Sequence, residues 1–269
     1  MCSSSGTTSV ALLPSSDVSV AAAPAVSPDP LARLGAALFK HRDALFPLVL
    51  IAAAFGTRSR LAGATRTDHL MDAVGFAVSA TGQALRVLVV GLVYITRGGQ
   101  NRQPWANSLV EGGLFGHSRN PLYVANMLIL LGLVIVHNGW VMYLVVLPLF
   151  AFTYVAIVRA EERYLSSRFG GAYDAYCDRV PRWMPRLAGL GTTIREGSFN
   201  WLKVLRKEYG TPFAWISGFV LLLFWEHSNP GAVPITHAER NTIVVVWCVI
   251  AVAYTVVRKL KLSGRLGTD

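Results

Sequence analysis

The sequence PLYVANMLILLGLVIVHNGWVMYLVVLPLFAFTYVAIVRAEE, over residues 121–162, decides the fold of this chain. Two apolar runs, 121–137 and 139–158, are joined by a short His-Asn-Gly turn and are followed by Glu161 and Glu162. Apolar runs of about this length are typical of membrane-spanning helices. The sequence therefore predicts an antiparallel helical hairpin that returns the two glutamates to the level at which the hairpin begins.

The composition of the whole chain is that of a membrane protein. Of the 269 residues, 53% are hydrophobic and only 15% are charged, whereas a soluble domain carries about 25% charged residues. The net charge is +10, but no basic stripe carries interleaved aromatic residues, so we expect no nucleic-acid partner. Cys2, Cys177 and Cys248 lie far apart, which favours neither a disulfide framework nor a metal site.

Six apolar stretches predict an all-α fold, a polytopic membrane helix bundle with about five to six transmembrane helices. They lie at about 43–56, 71–96, 121–137, 139–158, 212–226 and 241–257. The first stretch is too short to span a bilayer unless residues upstream of Lys40 join its helix. The domains predicted from these runs are a disordered tail over 1–30, N-terminal transmembrane helices over 31–99, a core over 100–186, and an interfacial helix with two transmembrane helices over 187–269.

Basic residues in the loops predict the orientation of the bundle. Ten arginines and lysines lie between Arg159 and Lys207, whereas the turn inside the hairpin has none. The positive-inside rule therefore places both termini and the segment 159–207 in the cytoplasm. Three arginines between the first two stretches disagree with this orientation. The stretch 195–210 reads as a basic amphipathic helix that lies at the interface or covers a cofactor.

The start of the hairpin carries a second group of polar residues. Pro121 suits the first position of a helix, with Asn120 as its cap, and a Gly-rich stretch precedes them. The free N–H groups of such a helix start can hold an anion. Charged groups at membrane depth, such as Glu161 and Glu162, tend to face a cavity and to be functional. Together these residues predict a helical pocket for a charged cofactor on the cytoplasmic side.

At these residues the chain resembles the isoprenylcysteine carboxyl methyltransferase family and its phospholipid methyltransferase relatives. The resemblance covers about 100–186 and departs from the family at two positions, where Asn120 replaces a histidine and Phe115 a tyrosine. It rests on residues in the order and spacing of the family: Gly113, Phe115, Arg119, Asn120, Pro121, Tyr123, Glu161, Glu162, Leu165, Phe169, Gly170, Tyr173, Tyr176, Val180, Pro181 and Pro185.

The resemblance implies that S-adenosylmethionine binds at the cytoplasmic face without a Rossmann domain. It implies catalytic roles for Arg159, which would hold a substrate carboxylate, and for Glu162. No metal is expected, because His117 and His137 have no partner at ligand spacing. The residues implied to contact the cofactor are Gln100, Asn107, Ser108, Leu109, Val110, Phe115, Asn120, Pro121, Leu122, Tyr123, Glu161 and Glu162.

The function implied by the resemblance is transfer of a methyl group to an amphiphilic or membrane-embedded acceptor. The expected partners are therefore the lipid bilayer and such an acceptor, with an isoprenylcysteine-type carboxylate first. A phospholipid amine and a small thiol stay open as acceptors. Two other functional classes also stay open. One is an NADPH-dependent sterol-type reductase, since such reductases resemble the family over the same hairpin. The other is a non-catalytic membrane scaffold, which would fit the replacement of the family's histidine by Asn120.

Overall fold

A computed structural model describes residues 29–58, 66–92, 97–100, 103–106, 108–228 and 235–266, with the backbone alone at 97–100 and 103–105. The tail predicted to be disordered lies almost wholly outside these residues. The elements are α1 (Pro30–Gly56), α2 (Arg66–Leu92), β1 (Arg97–Gln100), β2 (Gln103–Ala106), a 3₁₀ turn (Gly113–Gly116), α3 (Pro121–His137), a π-helical turn (Met142–Val146), α4 (Leu147–Phe169), α5 (Gly171–Arg179), α6 (Leu190–Glu196), α7 (Trp201–Glu208), α8 (Gly210–His227) and α9 (His237–Leu262).

Three described helical segments are long and apolar enough to cross a membrane. They are α2, the segment Met142–Phe169 and α9, while α3 is apolar but has only 17 residues. The chain is therefore a multi-pass membrane protein. The sequence predicts more spans than these three, and its total of five to six stays a prediction. Helix α1 has 27 residues and begins ten residues before Lys40, so the upstream residues do join the helix of the first apolar stretch.

The predicted hairpin is confirmed by the packing of α3 against α4. Pro121 lies in the first turn of α3, and Asn138 ends the helix in the left-handed region with a φ of 49°. The N–H of Asn138 donates to the carbonyl of Val134 over 2.9 Å. The rings of Tyr123 and Tyr154 lie 5.3 Å apart, so the start of α3 faces the later part of α4, as an antiparallel pair requires.

The structure differs from the sequence prediction in two elements. The all-α prediction missed a small antiparallel hairpin in which Arg97 pairs with Ala106 and Gln100 with Gln103. The sequence also did not predict that the helix continuing past Arg159 would be divided at Gly170, whose φ is +51°. That backbone conformation is open to glycine at little cost, and it separates α4 from α5.

Small residues let α2 and α3 pack closely. A Cβ atom added at Gly132 would lie 2.1 Å from the Oγ atom of Ser79, and one added at Gly75 would lie 2.6 Å from the carbonyl oxygen of Gly132. The Ser79 hydroxyl donates to the carbonyl of Ile129 over 3.0 Å. Close backbone approach of this kind is a common way to pair helices where lipid supplies no hydrophobic driving force.

The C-terminal helices attach to the same bundle. The N–H of Asn200 donates to the carbonyl of Gly91 over 2.9 Å, which joins the start of α7 to the end of α2. The Asn200 side chain caps α7 by accepting from the N–H of Lys203. Helix α8 packs against α3 through Trp215 and Leu222. Helix α9 has no buried residue, so most of its surface is available to lipid.

Candidate functional site

Helix α5 and the segment after it hold the start of α3 in place. The hydroxyl of Tyr176 donates to the carbonyl of Phe115 over 2.8 Å, and the N–H of Arg119 donates to the carbonyl of Pro181 over 2.9 Å. Asn120 occupies the predicted cap position, but its side chain does not cap α3. Its buried amide donates instead to the carbonyl of Arg182 over 3.1 Å, so this tertiary contact replaces the predicted local one.

His117 has a structural role. Its Nδ1 atom lies 2.7 Å from the carbonyl oxygen of Arg186, and its Nε2 atom lies 2.9 Å from the hydroxyl of Thr193. The two ring nitrogens therefore attach the segment at Arg186 and the helix α6 to the residues that precede α3.

One large cavity of about 890 Å³ lies between the start of α3 and the helices around it. Its polar end includes Arg42 from α1, Arg86 from α2, Glu161 from α4 and two lysines from the C-terminal helices. Its apolar part runs between α1 and α8 and reaches Phe55 and Leu222. The volume lies within the usual range for small-molecule sites, and the combination of a charged end with apolar walls suits an amphiphilic ligand.

The two adjacent glutamates face different cavities. Glu161 lines the large cavity and accepts a hydrogen bond of 2.7 Å from the hydroxyl of Tyr123. Glu162 is buried and binds Arg182 through both carboxylate oxygens, at 2.7 and 3.0 Å. It also lies 3.5 Å from Arg119. Successive residues of a helix point about 100° apart, so Glu161 faces the large cavity while Glu162 faces the second cavity and is paired with Arg182.

Arg119 stays charged in this arrangement. Burial alone would lower the pKa of its guanidinium, but the Glu162 carboxylate and Cys177 raise it above its ordinary value. Arg119 also lines the large cavity. It therefore brings a positive charge to the cavity wall, and the nearby Glu162 carboxylate stabilises that charge.

A second, smaller cavity of about 330 Å³ contains both catalytic candidates of the sequence analysis. Arg159 and Glu162 line it together with Arg182 and Trp183. The side chain of Arg159 is 54% exposed and donates to Asp29 over 2.9 Å. This contact lowers the pKa of the Asp29 carboxyl, which also caps α1. The structure thus places Arg159 apart from Tyr123 and Glu161.

The other predicted site residues divide into three groups. Ser108, Leu109, Val110 and Pro121 do not line the large cavity; Val110 packs beside Phe115, and Leu109 packs near Tyr173. The Gln100 side chain and Asn107 lie outside the described residues. The predicted residues that the structure brings together around the large cavity are Phe115, Asn120, Leu122, Tyr123 and Glu161.

The sequence analysis missed several polar residues of this cavity. Arg86 binds Glu208 through two hydrogen bonds of 2.7 and 2.8 Å. It also donates to the side chain of Asn126. An arginine inside an apolar run was the only sequence signal for this network. The further polar residues of the cavity that the sequence did not predict there include Arg42, Asp43, Tyr154, Lys207, Tyr209, Thr211, Ser217 and Lys261.

Three carboxylates form another group near the opposite end of α2. Asp68 and Asp72 from α2 and Glu226 from α8 have ligand-type oxygens within 4.8 Å of one another. Asp68 and Glu226 are buried. Because the two helices carrying them are far apart in sequence, no spacing pattern predicts this group.

Comparison with known families identifies the central part of the chain. Residues 73–172 match the family described as phospholipid methyltransferase. The chain carries a phospholipid methyltransferase family domain. The domain includes α3 and α4, and with them Tyr123, Glu161 and Glu162. The recognition made from the sequence motifs is therefore confirmed.

Two curated bacterial proteins are similar to part of the chain. The cobalt-zinc-cadmium resistance protein CzcN of Cupriavidus metallidurans is 35% identical over 95 residues, which are 35% of this chain and 41% of that protein. The nickel-cobalt-cadmium resistance protein NccN of Alcaligenes xylosoxydans xylosoxydans is 32% identical over 83 residues, or 31% of this chain and 38% of that protein. The chain thus spans about two fifths of the length of these relatives. No solved structure matches it.

Proposed function

We propose that this protein is a membrane methyltransferase that uses S-adenosylmethionine to methylate an amphiphilic or membrane-embedded acceptor. The observation that supports it most is the large cavity, in which the family-domain residues Asn120, Tyr123 and Glu161 meet an apolar space between α1 and α8. A polar cofactor end and an apolar acceptor end in one cavity are what such a transfer requires.

The residues at the polar end fit the chemistry of S-adenosylmethionine. Glu161 offers a carboxylate for the ammonium group, and Arg119 offers a cation for the carboxylate. Phe115 and Tyr123 offer aromatic faces for the positive sulfonium. The donors and acceptors of the site thus match the three charged groups of the cofactor.

The cofactor supplies an electrophilic methyl group, and the chain supplies orientation and a dry environment. The hydrogen bond from Tyr123 to Glu161 fixes both side chains at the cavity wall. Tyr154 and Phe150 exclude water from the side of α4. A carboxylate or thiolate acceptor would need no base, whereas an amine acceptor would have to lose a proton, and Glu161 is the carboxylate that lines this cavity.

The test is calorimetric titration of the detergent-purified chain with S-adenosylhomocysteine and, separately, with NADPH. We expect binding of the first alone, weakened at least about 10-fold in Glu161→Gln because a charge-assisted hydrogen bond is lost. Glu196→Gln, an exposed change in α6, is the matched control and should bind as the wild type does. Binding of NADPH alone would move the function to reduction, and binding of neither would favour a scaffold.

We propose a second, cellular function in metal resistance, because the similar proteins CzcN and NccN are named as cobalt, zinc, nickel and cadmium resistance proteins. In that case the chain would contribute to metal resistance by methylating a component of the membrane.

Growth measurements test this role. A metal-sensitive bacterial strain expressing the chain should tolerate more cobalt, zinc or cadmium than the same strain with an empty vector. Expression of Glu161→Gln at the same level should give no protection. Equal protection by both forms would show that resistance does not depend on the cofactor pocket.

A further inference from the structure

Helix α1 forms one wall of the large cavity. The apolar part of the cavity is a slot between α1 and α8, and α1 also reaches the polar end. The matched family domain covers residues 73–172, so this wall is a part of the pocket that the domain itself does not contain. About two turns of α1 supply four residues to the cavity lining at this end: Phe39, Arg42, Asp43 and Phe46.

Two neighbours on α1 hold the Arg42 side chain in place. The guanidinium carbon of Arg42 lies 4.1 Å from the ring centre of Phe39, which is buried, and this distance is that of a cation–π contact. The Nε atom of Arg42 lies 3.6 Å from the carboxylate of Asp43, whose side chain is 92% exposed. An exposed ion pair contributes little to stability, so the Phe39 ring is the main support that keeps Arg42 at the cavity wall.

Arg42 also donates a hydrogen bond to the residue that holds Glu161. Its Nη1 atom lies 3.4 Å from the hydroxyl oxygen of Tyr123, and that hydroxyl donates to Glu161 over 2.7 Å. A guanidinium offers donors only, and an ionised carboxylate offers acceptors only. The hydroxyl proton of Tyr123 therefore points to Glu161, and the three side chains form a chain of hydrogen bonds with a single direction. The members of such a chain polarise and strengthen one another.

A second contact from α1 supports the ring of the same tyrosine. The ring of Phe46 lies 5.3 Å from that of Tyr154, which in turn lies 5.3 Å from the ring of Tyr123. Phe46 and Arg42 are four residues apart, so they lie on the same face of α1. This face of α1 thus supports the Tyr123 ring through Tyr154 and contacts the Tyr123 hydroxyl through Arg42.

We propose that Arg42 is a positioning residue, which acts through Tyr123 to hold the Glu161 carboxylate in the orientation that binds the ammonium group of the cofactor. The inference rests on the proposed methyltransferase function, and it makes α1 a necessary part of the cofactor pocket. Without Arg42, the Tyr123 hydroxyl oxygen loses a charged donor, and the hydroxyl and the carboxylate can turn together. Because this effect on the cofactor is indirect, it should disappear when the Tyr123 hydroxyl is removed.

The experiment is a double-mutant cycle, measured by calorimetric titration of S-adenosylhomocysteine into the full chain in detergent. Arg42→Met keeps a long side chain that can pack on Phe39 but has no donor. We expect Arg42→Met to weaken binding about 5-fold and Tyr123→Phe to weaken it about 10-fold, because each removes a hydrogen bond to a charged group. The double variant should bind about as weakly as Tyr123→Phe alone, since Arg42 acts only through that hydroxyl.

Two further variants complete the experiment. Arg42→Lys returns a charged donor to the same position and should bind S-adenosylhomocysteine more tightly than Arg42→Met does. Arg33→Met removes an exposed arginine of the same helix that does not line the cavity, and it should bind as the wild type does. Thermal unfolding of every variant in the same detergent reports whether it is folded, and a general loss of structure would weaken binding whether or not the Tyr123 hydroxyl is present.

Two results would overturn the inference. One is equal binding of S-adenosylhomocysteine by Arg42→Met and Arg33→Met. The other is an equal loss of binding from Arg42→Met in the wild-type and Tyr123→Phe backgrounds, which would mean that Arg42 does not act through the hydroxyl. Either result with normal binding by the wild type counts against the role of Arg42 alone, whereas lack of binding by the wild type counts against the methyltransferase function.

Discussion

At the scale of single residues, the two adjacent glutamates have different surroundings. Glu161 contacts Tyr123 and the large cavity, while Glu162 is enclosed by Arg119 and Arg182. A buried carboxylate with two arginine partners is costly to neutralise, because both arginines then lose their counter-charge. We therefore expect Glu162 to contribute mainly to stability and Glu161 mainly to ligand binding.

Glu162→Gln should lower the free energy of unfolding by about 2–3 kcal/mol. The value lies below the full cost of breaking a buried ion pair because the Arg182 side chain is 41% exposed. Thermal unfolding in detergent measures the effect, with Glu111→Gln as the control, since its partner Arg179 is 62% exposed and such surface pairs contribute little. An unchanged unfolding temperature in Glu162→Gln would contradict this structural role.

At the scale of elements, the bundle depends on two kinds of contact between helices. Small residues bring α2 and α3 together around Gly132. A buried ion pair between Arg86 and Glu208 fastens α7 to α2. The first contact requires that a side chain be absent, and the second requires that both partners be present.

Gly132→Ala should destabilise the protein by about 2 kcal/mol, because the added methyl group would collide with Ser79 and the carbonyl of Gly75. Gly56→Ala is the matched control, since a Cβ atom there would meet nothing within 4 Å. Thermal unfolding of both variants in the same detergent provides the measurement. A Gly132→Ala protein as stable as Gly56→Ala would show that the two helices do not pack this closely.

Arg86→Met and Glu208→Leu should each destabilise the protein by about 3 kcal/mol, because each leaves a buried charge without its partner. The side chains are 15% and 5% exposed, respectively. The double variant should be less destabilised than the sum of the two, since it leaves no uncompensated charge. Additive losses in this double-mutant cycle would mean that the two side chains do not interact.

At the scale of the whole molecule, the cavity is built from parts that are distant in sequence. The family domain over 73–172 supplies Tyr123 and Glu161, whereas α1 and α8 supply the walls of the slot. The predicted orientation places the polar end of this cavity on the cytoplasmic side, where S-adenosylmethionine would be available.

Cysteine labelling tests that orientation. In a chain whose own cysteines are replaced by serine, Ser263→Cys should react with an impermeant maleimide only in inverted vesicles, and Trp140→Cys only in right-side-out vesicles. Both positions are exposed, and they flank α9 and the hairpin turn, respectively. The opposite labelling pattern would reverse the topology predicted from the loop charges.

The sequence by itself determined the features that depend on local chemistry. Pro121 begins α3 and the His-Asn-Gly turn ends it, because proline and left-handed asparagine act within one turn of the backbone. The order of motif residues was enough to recognise the family, and the long apolar runs were enough to predict a membrane protein. Gly170 was visible in the sequence, but its positive φ and the helix break it causes were not expected.

Only the tertiary structure decided which side chains meet. The separation of Glu161 from Glu162, the pairing of Arg86 with Glu208, and the slot between α1 and α8 all join residues through packing of whole helices. The direction of the Asn120 amide was likewise set by a partner 62 positions away. Helix orientation and rotation depend on side-chain contacts between distant segments, and no local spacing pattern encodes them.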